Sequence, residues 1–377
     1  MTNILIIGGG FAGISAASRL SRSDLDLDIV LIDKKEAVDF LPMLPDCIGR
    51  EIDPEFLSFK IENIAKKLGF KFIRGEVASI DLDRRQVLTK EQALTYDYLV
   101  IASGCETNFY GNESIRQNSL TLDSAYDAKR IVDTLRYHEF DNFIIGGGGY
   151  TGIEIAASLR VYLGKIKRAS GIIIVERAGA ILGSLPEWMR NYVSANLRCL
   201  NVEICPNSAI DRIDGRSVYL LGGRTFNNAL VIWAAGVKTA GFIQDLRSGK
   251  NPQGRIKVDE YLRINDNCFA AGDAAFFTHK ESSLRMAVQF AITQGECAAL
   301  NIIKSIKGRS LKRFMPRDLG YIIPMANNRS CGMVLGVNLK GALPTALHFI
   351  MCIYRSYGMK NKFGIIRTLF KDIGGKK

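Results

Sequence analysis

Three glycines, Gly8, Gly10 and Gly13, follow directly on an aliphatic run and open a stretch of small residues, ILIIGGGFAGISAASRL. Glycines at that spacing allow a tight turn, close approach of the backbone to a pyrophosphate, and close packing of a helix on its strand. The first residues of that helix, Phe11 and Ala12, then offer N–H groups at the positive end of the helix dipole. Asp33 stands twenty residues past Gly13, at the end of the next strand-like run DIVLID and just before Lys34. An acid in that place accepts hydrogen bonds from ribose hydroxyls. The pattern returns 139 residues later in NFIIGGGGYTGIEIAASL, with Gly147, Gly149, Gly152, Tyr150 and Thr151 in the corresponding places. Glu176 ends the following run, GIIIVER, 24 residues past Gly152. A carboxylate there repels a ribose 2′-phosphate and favours NADH over NADPH, while the neighbouring Arg177 pulls the other way.

Such turns do chemistry only when strands and helices position them. Each copy reads as a βαβ unit: a continuously apolar strand, a glycine turn, a helix of small residues and a second strand ending in an acid. KFIRGEVASIDLD and TYDYLVIASG read as strands between the two copies. NVEIC, SVYLL, ALVIWAAG and CFAAG follow the second. Beyond Gly295 the texture turns helical and basic. The expected architecture is α/β, with two Rossmann-like dinucleotide-binding domains and a C-terminal helical segment. Residues 1–108 and 251–312 form the first domain, 109–250 the second, and 313–377 the tail.

The 377 residues are 47% apolar and 23% charged, a globular composition that excludes disordered and fibrous classes. A strand starting at Ile4 leaves no room for a secretory signal, so the chain reads as cytoplasmic. Eight cysteines lie scattered with no CxxC pair and no cluster at zinc-ligand spacing, which reads as reduced, mostly packing thiols and no metal.

With these motifs in place the chain resembles the two-dinucleotide-binding-domain flavoproteins, and among them the type II NADH:quinone oxidoreductases. TYDYLVIASG, ALVIWAAGV, CFAAGDAA and VQFAITQG carry the match in the family's order, and RFMPRDLG echoes it further on. The resemblance implies non-covalent FAD in the first domain and NADH in the second. It places Asp273 and Gly272 at the ribityl–phosphate region, Ala102, Ser103 and Gly104 along the FAD, Val77 at the adenine and Pro42 of FLPMLPD beside the isoalloxazine. Gly236 of ALVIWAAGV falls in the nucleotide site. Glu154 takes the position of the family's motif glutamate, orienting the nicotinamide or shuttling protons. Gln289 falls at the quinone pocket; the family's second glutamine, four residues on, is Thr293 here.

Two other chemistries share this fold. A disulfide reductase needs a cysteine pair after the first βαβ unit, where Cys47 stands without a nearby partner in sequence. A sulfide:quinone oxidoreductase needs nucleophilic cysteines, for which Cys105 and Cys331 are the candidates. A third class is an FAD-containing protein whose redox state regulates binding to a partner.

From Gly341 to Lys377 seven basic residues (Arg355, Lys360, Lys362, Arg367, Lys371, Lys376 and Lys377) face a single acid, Asp372, so the tail holds about half of the net charge of +12. Leu343, Ala346, Leu347, Ile350, Tyr354 and Tyr357 recur near helical spacing, followed by Phe363, Ile366, Leu369 and Phe370. Such helices lie in a membrane interface with their basic residues at anionic headgroups. No apolar run reaches the roughly 20 residues that cross a bilayer. The expectation is a peripheral protein at the cytoplasmic face of the cell membrane, with NADH and quinone as partners, no nucleic acid, and no proton-pumping path. The alternative use of the first tail helix is packing on the protein's own core or a homodimer contact.

Overall fold

The computed structural model describes residues 1–280 and 282–374; Lys376 and Lys377 of the basic tail lie outside them. The chain forms two compact units, one made of residues 1–38, 59–106 and 237–318, the other of 39–58, 107–236 and 319–377.

The first unit is built on a five-stranded parallel sheet in the order Cys268–Ala270, Tyr98–Ile101, Thr2–Ile7, Leu27–Asp33, Lys71–Arg74. A parallel sheet is covered on both faces, so its strands need no polar alternation. Ile4 to Ile7 accordingly are at most 3% exposed. The helix Phe11–Ser21 follows the central strand, and its small buried residues Ala12, Ala16 and Ala17 let a second helix, Val288–Ile306, lie close against it. Gly295 is the contact point: a Cβ there would come 2.1 Å from the Ala12 carbonyl oxygen. The three-stranded antiparallel sheet Val77–Asp81, Gln86–Thr89, Ala93–Thr95 closes over one side of the core.

The second unit repeats the plan in the order Ser119–Leu120, Ala229–Trp233, Asn142–Gly146, Gly171–Val175, Glu203–Cys205, again all parallel. In both sheets the strand that leads into the glycine turn is central, with its βαβ partner beside it, which is the half-Rossmann arrangement. A small antiparallel sheet, Ile210–Asp214, Ser217–Leu220, Thr225–Phe226, packs on this core.

Three features depart from the sequence expectation. The chain leaves the second unit at Gly236 and not near residue 250, because Ile243 and Leu246 bury themselves in the first unit's core beside Val77 and Val87. Residues 39–58, expected with the first domain, belong to the second unit; there Gly49 allows the short helix Asp46–Gly49 to sit on Ser158 of the helix Tyr150–Lys165, a Cβ at Gly49 falling 2.8 Å from the Ser158 Cα. The stretch after Gly295 is not helical throughout. Gly320–Ile323, Ser330–Val334 and Val337–Gly341 form an antiparallel sheet in the second unit. Gly320, at φ +103°, allows a strand crossing in which a Cβ would stand 1.8 Å from Met333 O. The tail helices Ala342–Arg355 and Met359–Gly374 follow.

Candidate functional site: two dinucleotide cradles

In the first unit the glycine turn has a geometry that only its own sequence allows. Gly8 sits at φ +108°, and a Cβ on it would lie 2.2 Å from Ala102 O; one on Gly13 would lie 1.8 Å from Gly8 O. Gly10 differs: a Cβ there would meet nothing within 4 Å. The turn is therefore closed on its inner side and open at its second glycine, above the uncapped N-terminus of the helix Phe11–Ser21. That is the shape a diphosphate fills.

The second unit reproduces it almost angle for angle. Gly147 sits at φ +110° with a Cβ distance of 2.8 Å to Ala234 O, Gly152 would meet Gly147 O at 2.0 Å, and Gly149 again faces open space. The N-cap angles agree as well, φ −78° and ψ −169° at Gly10 against φ −79° and ψ −172° at Gly149, neither with a side-chain cap.

The two acids that end the next strands have a structural duty of their own. Asp33 accepts hydrogen bonds from Gly9 N at 2.6 Å and Lys35 N at 2.8 Å. Glu176 accepts from Gly148 N and Ala178 N, both at 2.7 Å. Each carboxylate holds its glycine turn in place and retains lone pairs, of which it has about four, for a ligand.

Around the first cradle, Gly272 lies at φ +70° at the start of the turn Gly272–Ala274. Its N–H donates to Gln294 Oε1 at 2.8 Å, a buried bond from a residue that the sequence reading passed over. Arg255, also passed over, is 5% exposed and ties the same turn by donating to the carbonyls of Asp273 at 2.9 Å and Ala275 at 2.5 Å. Burial raises the Asp273 carboxyl above its ordinary range, and the Arg255 charge partly offsets that. Ser103 Oγ is buried without a hydrogen-bond partner among the described residues. A buried hydroxyl in that state calls for a ligand atom. Ala102 and Val77 are buried, and Lys34 pairs with Glu106 at 3.8 Å. Gly236, at φ +79°, is covered by the ring of Tyr110, whose oxygen would stand 2.0 Å from an added Cβ.

Gln289, on the helix Val288–Ile306, donates to Asp318 Oδ1 at 3.2 Å, and Asp318 is also paired with Arg285. Thr293 is exposed, its hydroxyl donating back to Gln289 O at 2.9 Å. Pro42 belongs to the second unit, in the single turn Leu41–Met43.

Glu154, on the helix Tyr150–Lys165, lines a cavity with Pro45, Asp46, Arg50, Ser158, Met325 and Phe349 among others. Burial holds its carboxyl well above the ordinary range, and the negative charge of Asp46 adds to the effect. Burial disfavours the thiolate at the candidate cysteines. Burial pushes Cys105 up to about 12 and Cys331 up to about 11, and Cys47 is likewise raised by burial.

Two parallel-sheet units, each with an open glycine cradle braced by an acid at the end of the next strand, define a protein that holds two dinucleotides. Residues 2–295 match the family described as pyridine nucleotide-disulphide oxidoreductase, and the chain belongs to it. Its similar relatives include demethylphylloquinone reductase NdbB of Synechocystis sp., 28% identical over 93% of this chain and 91% of that one. The type II NADH:quinone oxidoreductase of Staphylococcus aureus is 26% identical over 90% of this chain and 91% of its own. Among solved structures, NDH2 from Plasmodium falciparum in complex with NADH matches with a TM-score of 0.86 at 18% identity, covering 98% of both chains. The sulfide:quinone oxidoreductase of Aquifex aeolicus matches at 0.80 and 20%, covering 97% of this chain and 92% of that one.

Proposed function

We propose that this protein is an FAD-dependent NADH:quinone oxidoreductase of type II. The duplicated cradle carries the reading: one chain holds two backbone sites for a diphosphate, each closed by an acid suited to free ribose hydroxyls. The relatives named as quinone reductases, which align over nine-tenths of the chain, support the acceptor. Bound FAD supplies the chemistry of accepting a hydride from NADH and passing two electrons to the quinone.

The chain's own residues supply binding and placement. Gly8, Gly10, Gly13, Asp33, Val77, Ala102, Ser103, Gly104, Gly272 and Asp273 hold FAD in the first unit. Gly147, Gly149, Gly152, Glu176 and Gly236 hold NADH in the second. Pro42 takes the place along the flavin ring that the family gives a proline, and Glu154 carries a proton near the reacting rings. Gln289 and Thr293 stand on the quinone side. Thr293 contributes shape, since its proton is committed to the Gln289 carbonyl.

The tail attaches the protein peripherally to the cytoplasmic face of the membrane. Leu343, Ile350, Tyr354, Met359, Phe363 and Phe370 are each 57–75% exposed, beside Lys360, Arg367 and Lys371, which are exposed too. No helix among the described residues is long and apolar enough to cross a bilayer. A homodimer contact through the same apolar row is the competing use.

The test is anaerobic mixing of the purified flavoprotein with NADH, followed by a water-soluble quinone. The flavin absorbance bleaches and then returns. A flavin that stays oxidised with NADH overturns the proposal. Bleaching by sulfide and not by NADH transfers it to the sulfide:quinone reading, which the protonated Cys105 and Cys331 disfavour.

A further inference from the structure

Tyr110 stands at the rim of the second cradle in a conformation that its own packing does not explain. It sits at φ +52°, the only aromatic residue with a positive φ among the described residues, and a bulky side chain strains the backbone there. Tyr110 is nevertheless 64% exposed, so burial of the ring does not offset the strain. Nor does the loop need the ring to hold its shape. Asn108 fastens it with three bonds: its N–H donates to Gly236 O at 3.2 Å, its carbonyl accepts from Trp233 Nε1 at 2.9 Å, and its side-chain oxygen accepts from Tyr110 N at 2.8 Å. Phe109 stacks on the Trp233 ring with centroids 6.4 Å apart. Asn112 N donates to Phe109 O at 2.9 Å, and Asn112 Nδ2 donates to Asp211 O at 2.7 Å. Asn112 Oδ1 also caps the helix Glu113–Asn118 by accepting from Ile115 N. The neighbours on both sides therefore force the chain through Tyr110, and strain imposed in this way is characteristic of ligand sites.

The phenol lies at the mouth of the cradle. Its oxygen would stand 2.0 Å from a Cβ on Gly236 and has no hydrogen-bond partner among the described residues. The two residues before Gly236 close the glycine turn itself, since a Cβ on Gly147 would lie 2.8 Å from both Ala234 O and Ala235 Cα. Sheet order decides which half of a dinucleotide comes here. The strand Gly171–Val175, followed by Glu176, lies on one side of Asn142–Gly146, and Ala229–Trp233, which leads to Gly236, lies on the other. A dinucleotide spans the crevice at such a switch point, with the acid at the ribose of its adenosine half. The nicotinamide half then extends the other way, over the chain at Ala234–Gly236, where Tyr110 stands.

We propose that Tyr110 is a binding residue for the nicotinamide riboside: its hydroxyl hydrogen-bonds the riboside, and its ring forms the outer wall of that seat. The inference rests on the reading of the second cradle as the NADH site, and it adds the residue by which the protein tells the whole dinucleotide from its adenosine half. Gly236 has no side chain because one would occupy the place of the phenol. The free protein holds Tyr110 strained and exposed for a contact that forms only in the complex.

The experiment is isothermal titration calorimetry of the full-length, FAD-loaded protein with NAD⁺ and with ADP, which carries the adenosine and diphosphate but no nicotinamide. FAD fills the first cradle, so both ligands report on the second, and the oxidised nucleotide avoids turnover. Tyr110→Phe keeps the ring and removes the hydroxyl; NAD⁺ affinity falls roughly two- to tenfold, the loss of one neutral hydrogen bond. Tyr110→Asn removes the ring as well, and Asn tolerates the left-handed region; NAD⁺ affinity falls about tenfold or more. ADP binds both variants as it binds the parent. The melting temperature of Tyr110→Asn is no lower than the parent's, which a merely structural role of the ring would not allow. Unchanged NAD⁺ affinity in the variants overturns the proposal. So does ADP affinity that falls by the same factor as NAD⁺ affinity, because the damage then lies in the glycine turn. A parent protein that binds neither nucleotide ends the NADH reading, and this inference with it.

Discussion

Gly152→Ala isolates the second cradle with a single methyl group. The new Cβ would stand 2.0 Å from Gly147 O, where ordinary contacts begin at 3.4 Å, so the turn or the helix must yield by roughly 1.4 Å. The obstacle is backbone, not the end of a flexible side chain, so no rotamer change relieves it. An amide displaced that far leaves hydrogen-bonding range. Losing one bond to a charged phosphate costs about 1.5–3 kcal/mol, which raises the NADH concentration for half-maximal reduction roughly ten- to a hundredfold. The strain itself costs about 1–3 kcal/mol of stability. The assay is stopped-flow reduction of the flavin at a series of NADH concentrations. The protein stays yellow, because the first cradle is untouched. Gly13→Ala is the mirror experiment: its Cβ would lie 1.8 Å from Gly8 O, and it yields protein without flavin. If Gly152→Ala bleaches with the parent's NADH dependence, the second glycine turn is not the nicotinamide dinucleotide's cradle.

Three further outcomes follow from the same geometry. Glu176→Gln weakens the two bonds at 2.7 Å that hold the second turn and removes the repulsion toward a 2′-phosphate; steady-state rates with both nucleotides show NADH efficiency falling tenfold or more while NADPH falls less. Gln294→Ala leaves the buried Gly272 N–H without its acceptor, at about 1–3 kcal/mol, seen as a lower melting temperature and faster flavin loss on dilution. Ile350→Glu with Tyr354→Glu places charge on residues that are 61% and 75% exposed; the protein no longer sediments with anionic liposomes but still bleaches with NADH, and undiminished sedimentation counts against attachment through this helix.

The exposed row and the buried row of the tail explain why point changes are the sound test of it. Leu343, Ile350 and Tyr354 face outward, yet Pro344, Phe349 and Cys352 on the same helix are buried. On the last helix, Ile365 is 0% exposed, and Gly364 lets Phe56 pack within 2.5 Å of where a Cβ would be. Deleting these helices would strip the second unit of part of its core. The periodicity of Leu343, Ile350 and Tyr354 was readable as a helix face, but which residues of that helix are buried depends on the sheet Gly320–Gly341 beneath it.

The amino-acid order alone determined the two cradles, because strand, glycine turn, helix and acid are all local. Gly8, Gly10 and Gly13 do their work within one βαβ unit, and so do Gly147, Gly149 and Gly152. The residues that tune those sites come from far along the chain. Gln294 reaches Gly272 across 22 positions, and Asp46 and Arg50 share a cavity with Glu154 and Phe349 although nothing in their own segment marks them as more than a surface ion pair. Only tertiary packing decides which carboxylate loses water and which charge stands beside it. Burial and the nearby Asp46 therefore raise the Glu154 carboxyl above its ordinary range, whereas its place two residues after Gly152 could be read from the sequence.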